Sequence, residues 1–114
     1  MNRSVLLQLT RDSIQEVLQA QNSIEKQHLL KKYPLLEQKV KITINLYLDS
    51  ELFSSYQNQA ELTLIDAIVI GAKKAAFKNS TPLTTSQYLH CEIELILDTP
   101  QGVISQRDPA ILKS

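Results

Sequence analysis

The sequence predicts an α+β fold, an antiparallel sheet packed against two or three helices, from two kinds of pattern. Residues 40–48, VKITINLYL, and residues 89–98, LHCEIELILD, alternate apolar and polar side chains, the period of a strand with one buried face. Residues 64–77, LIDAIVIGAKKAAF, leave almost no polar side over their first two turns, which marks a helix buried on most sides. An amphipathic stretch over 5–20 supplies a second helix to cover the sheet.

In chain order, Val5, Leu6, Leu9, Ile14, Val17 and Leu18 return at helical spacing, with Ser4 as N-cap. Gln8, Arg11, Asp12, Gln15 and Gln19 form the expected solvent-facing side. Asn22 and Glu25 have capping-box spacing and predict a short helix through IEKQHLLKK, ended at Tyr33-Pro34. The strand at 40–48 follows, its apolar face set by Val40, Ile42, Ile44, Leu46 and Leu48. Residues 49–59 lose the period and read as coil. Thr63 and Asp66 offer a cap to the helix at 64–77, and Lys73, Lys74 and Lys78 suit the negative end of its dipole. Gly71, Ala72, Ala75 and Ala76 permit close approach of a neighbour. Residues 78–84 read as a turn around Pro82, 85–88 as one helical turn, and 89–98 as the second strand. After Pro100 and Gly102, Val103 and Ile104 begin a further short strand, and residues 105–114 read as a flexible polar tail.

The 114 residues suit one domain with one core. Lys plus Arg and Asp plus Glu number 12 each, so no net field attracts nucleic acid or anionic lipid. The N-terminal residues, charged at Arg3, Arg11 and Asp12, lack a signal-peptide core, and the apolar run 64–72 falls short of the roughly 20 residues of a membrane span. One cysteine, Cys91, precludes an internal disulfide and fits a reducing compartment, here the cytoplasm. With Gly71 and Gly102 as its only glycines the chain holds no phosphate-binding loop, and no cofactor is expected.

The neighbours His90 and Cys91 raise a question of chemistry. On one strand they face opposite ways, which places Cys91 among the core residues as a small hydrophobe. His90 then shares a face with Glu92, Glu94 and Asp98, a pattern open to two readings: a solvated sheet face, or an acid-base or divalent-metal site built on His90, Glu92 and Glu94. Phe53 and Tyr56 in the unpatterned stretch, with Tyr47 beside them, are the candidate partner surface.

Ala76 and Phe77, then Pro82, Leu83 and Thr84, then Leu89, Glu92, Ile93, Glu94 and Leu97 occur in an order that resembles the first half of the AMMECR1 domain family. The resemblance covers roughly residues 4 to 100. It implies an α+β fold and, as partners, a Memo-type protein or a radical-SAM enzyme. The family's Arg-Gly-Cys-Ile-Gly segment is missing: it should fall near residues 50–60, where this chain reads SELFSSYQNQA. The family also continues into a second half with strands of its own. No catalytic residue is carried over.

The leading expectation is therefore a non-catalytic protein-interaction or accessory module that binds a partner or itself. The alternatives are a small enzyme using the His90, Glu92 and Glu94 face, and a dimeric α+β chaperone that clamps an extended client segment.

Overall fold

The computed structural model describes residues 3–58, 61–78 and 81–112. Residues 59, 79, 80, 113 and 114, which belong to the expected coil, turn and tail, lie outside them. The elements run α1 (Val5–Leu18), α2 (Lys26–Lys32), a 3-10 turn (Pro34–Glu37), β1 (Lys41–Leu48), β2 (Glu51–Gln57), α3 (Leu64–Phe77), α4 (Thr85–Leu89), β3 (Cys91–Thr99) and β4 (Gly102–Asp108). The strands form one antiparallel sheet in the order β2-β1-β3-β4, an α+β architecture.

Each strong period becomes its element. Ile42, Ile44 and Leu46 of β1 and Cys91, Ile93, Leu95 and Leu97 of β3 are buried on one side of the sheet. There they meet Leu64, Ile65, Ile68, Ala72 and Ala75 of α3 and Leu7 and Ile14 of α1. The approach is close at Gly71, where a Cβ would stand 2.7 Å from Cδ2 of Tyr56 and 3.2 Å from Cδ1 of Ile44. The missing side chain at this position lets α3 settle onto β1 and β2.

Several local expectations give way to other contacts. Residues 51–57 form a strand rather than coil, joined to β1 by a two-residue turn in which Asp49 and Ser50 both take positive φ, 51° and 67°. That geometry suits a tight hairpin, but Asp-Ser lacks the glycine that advertises one. The spacing of Asn22 and Glu25 yields no capping box, and α2 starts at Lys26 without a side-chain cap. Glu16 of α1 takes the amides instead, accepting from the backbone N–H of Ser23 at 2.7 Å and Ile24 at 2.8 Å, and from Lys73 Nζ at 2.9 Å. Burial opposes the charge of Glu16, but the Ile24 amide, Lys73 and the Ser23 amide outweigh it, and the carboxyl titrates below its ordinary value. Thr63 occupies the N-cap of α3 without a side-chain cap bond, and Asp66 pairs with Lys26 at 3.0 Å.

A capping box does form at α4, between Thr84 and Gln87, and it carries the helix through Leu89. The second strand therefore begins at Cys91 rather than Leu89, and His90 caps the helix instead of lying on the strand. The tail expected at 105–114 is corrected too, because residues 105–108 complete β4 in unbroken register with β3, from Gly102 opposite Thr99 to Asp108 opposite Ile93. Where β2 ends, buried Asn58 prolongs the ladder, its Oδ1 accepting from the backbone N–H of Ile42 at 2.6 Å. Among the described residues no helix is long and apolar enough to cross a membrane.

Candidate functional site

The sheet face away from the helices carries the predicted carboxylates. Ser55, Asn45, Glu94 and Arg107 stand opposite one another across the four strands, and the register turns them into one hydrogen-bonded row. Ser55 Oγ donates to Asn45 Oδ1 at 2.6 Å, and Asn45 Nδ2 donates to Glu94 Oε1 at 2.9 Å. Tyr47 donates its hydroxyl to the same oxygen at 3.0 Å, and Arg107 Nε reaches Glu94 Oε2 at 3.3 Å. Arg107 also contacts Glu92 Oε1 at 3.3 Å and lies 5.3 Å from the Tyr47 ring centroid.

The electrostatics follow from this arrangement. The Asn45 amide, with Tyr47 and Arg107 behind it, holds the Glu94 carboxyl below its ordinary value. The hydrogen bond to Glu94 raises the Tyr47 hydroxyl above its own. Glu94 is therefore an anion at neutral pH with its acceptors engaged, the opposite of a general acid, whose pKa is tuned upward. His90 stands apart from the row. It is exposed, its Nδ1 lies 3.1 Å from the carbonyl oxygen of Leu112, and it lines a cleft of about 280 Å³ with Tyr47, Asp49 and Glu92. Among the described residues no three His, Cys, Asp or Glu side chains converge as ligands of one ion.

The three aromatics of the candidate partner surface do not share a face. Tyr47 is on the open face, in the Glu94 network. Tyr56 is half-buried on the helix side against Gly71, with Lys74 Nζ 5.8 Å from its ring centroid. Phe53 is half-buried against the core.

What the sequence reading missed lies between α1 and the end of β4. Arg11, assigned to the wet side of α1, is 0% exposed. Its Nε donates to Asp108 Oδ2 at 2.6 Å, and its Nη2 to the carbonyls of Cys91 at 2.9 Å and Pro109 at 3.0 Å. The guanidinium also sits 5.2 Å from the Tyr88 ring centroid, and Arg3 Nε holds the other oxygen of Asp108 at 3.0 Å. A positional signal existed: Arg11 is four residues after Leu7 and three before Ile14, within the buried stripe of α1. Burial, opposed in part by Arg11, pushes the neighbouring Cys91 thiol up to about 11, so it stays protonated.

This clamp fastens one end of β4, while among the described residues no strand pairs with its outer edge. β4 is last in the sheet order, with Val103 69% and Ile104 50% exposed. The other edge strand, β2, carries a register break opposite Leu46 and Tyr47. Such a bulge guards an edge against pairing. β4 has no such break.

The chain is thus an α+β protein whose sheet is backed by α1 and α3 on one face. Among solved structures it is similar to an uncharacterised protein from Pyrococcus horikoshii, at a TM-score of 0.72 and 20% sequence identity. The match covers 83% of this chain and 50% of that one, so this chain spans about half the length of the protein it matches. At that identity the likeness shows the fold. No protein-family model matches the chain, and neither does any curated protein.

Proposed function

We propose that this chain is a cytoplasmic, non-catalytic interaction module of AMMECR1-like build that takes a partner along the free edge of β4. The observation that carries the reading is that edge: seven residues in regular register, unpaired on the outer side among the described residues, with Val103 and Ile104 exposed. An edge of this kind recruits an added strand through main-chain hydrogen bonds, with neighbouring side chains setting preference. The engagement of Glu94 with Asn45, Tyr47 and Arg107 supports the non-catalytic part. A Memo-type protein or a radical-SAM enzyme is the partner class that the family resemblance implies.

The test is affinity capture from native cells of the tagged chain beside a Val103→Lys/Ile104→Lys variant. The expected result is a stoichiometric partner held by the unaltered chain and lost from the variant. An identical set of proteins on both would contradict the reading.

A further inference from the structure

We infer that the groove between α1 and α2 binds a small amphipathic carboxylate, an acyl chain of medium length with one charged head. The groove follows from the placement of α2. Glu16 and Lys26 line one cleft and Arg3 and Lys32 the next, so α2 runs back along α1. Yet no residue of α2 is buried. The helix stands off from α1 and leaves a cleft of about 500 Å³ between them, a size within the range of small-molecule sites.

The walls are apolar at helical spacing. Val5 and Leu9 line one side, and Leu29 and Tyr33, at the end of α2, line the other. Each pair is four residues apart and therefore shares one side of its segment. Leu9 is buried and the other three are half-buried, so an inserted hydrocarbon chain would remove from water the apolar surface that the fold leaves wet.

Charge sets the class of ligand and its direction. Arg3 and Lys32 stand at one end of the groove. Asp108, the carboxylate on Arg3, is shared with Arg11, so two guanidiniums oppose one carboxylate there. Lys32 has no carboxylate partner among the described residues, and its Nζ lies 5.6 Å from the Tyr33 ring centroid. The groove's own carboxylate, Asp12, is further along α1 and accepts from Gln8 Nε2 at 2.8 Å. An anionic head is thus favoured beside Arg3 and Lys32, with the chain laid between Leu9 and Leu29. Length excludes a larger occupant. From Val5 to Asp12 the wall of α1 rises about 10 Å, which a partner helix of ordinary length, about 11–12 residues, would overrun.

The experiment is NMR titration of the isotope-labelled full chain with octanoate, and with octanol, octylamine and acetate for comparison, on the unaltered protein and on Lys32→Glu. Octanoate should give saturable shifts at amides within residues 5–12 and 28–33, octanol should bind there more weakly, and octylamine and acetate should not saturate. Lys32 is exposed, so its replacement leaves the core intact. Lys32→Glu should weaken octanoate roughly five- to tenfold and leave octanol unchanged, which separates lost charge from an altered groove. Octanoate shifts that do not saturate, or that fall outside these two segments, would overturn the proposal. So would octanol, octylamine or acetate binding as tightly as octanoate, or a Lys32→Glu chain that loses octanol as much as octanoate or loses neither.

Discussion

Arg11 Nε and Asp108 Oδ2 lie 2.6 Å apart although 97 residues separate them in the chain. This pair binds the first helix to the last strand, and with Cys91 and Pro109 it fixes where the outer edge of the sheet ends. Removing one partner strands a buried charge. Asp108→Asn should lower unfolding free energy by about 3–5 kcal/mol, read from urea denaturation. Arg11→Met combined with Asp108→Leu should cost less than Asp108→Asn alone, because no charge is left buried.

Acid should loosen the fold through Glu16 and Glu94. Both carboxyls titrate below their ordinary value of 4.5. A depressed folded-state pKa contributes stability that is fully present above the unfolded value and is lost as pH falls through the folded one. The urea midpoint should therefore be flat down to about pH 5 on this account and fall below it. Glu94→Gln should be less stable at pH 7, and the gap to the unaltered protein should narrow towards pH 3.

Gly71 serves packing rather than helix propensity. Alanine is the better helix former by about 1 kcal/mol, yet its Cβ would meet the Tyr56 ring at 2.7 Å. Gly71→Ala should lower the melting temperature in the presence of Tyr56 and raise it in a Tyr56→Ala background. That reversal of sign, read by thermal denaturation, would show that the ring is what requires glycine.

Cys91 should be inert while the protein is folded. It is buried and its thiol is pushed up to about 11, so the reactive thiolate is scarce at pH 8. A disulfide exchange reagent should label it only at the rate of unfolding, and quickly in urea. Rapid labelling of the native protein would contradict this.

The elements legible in the sequence were those whose burial repeats at a single period. β1, β3 and α3 each press one continuous apolar set into the core, so Ile42, Ile44 and Leu46, or Ile65, Ile68 and Ala72, announce themselves. β2 did not, because it is an edge strand with a bulge: Tyr56 packs under α3, Ser55 joins the open face, and the break near Leu46 puts the pattern out of step. Arg11 was hidden by its residue type. Its position in the α1 stripe pointed inward, but its need for a carboxylate was met by Asp108, in a segment read as a tail. His90 was drawn into the candidate site by two residues of misplaced boundary, since the Thr84–Gln87 box extends α4 to Leu89. Glu92 and Glu94 were rightly placed on a common face. Their partner Arg107 lies on β4 and could be found only from strand order.

The most direct measurement is amide hydrogen exchange across the two edge strands, comparing the protein alone at low concentration with the protein bound to its partner or at high concentration. Added protection is expected within Val103–Arg107 of β4 and none within Glu51–Gln57 of β2. Protection that falls on β2 or the helices, or on no segment at all, would contradict β4 as the edge through which this protein works.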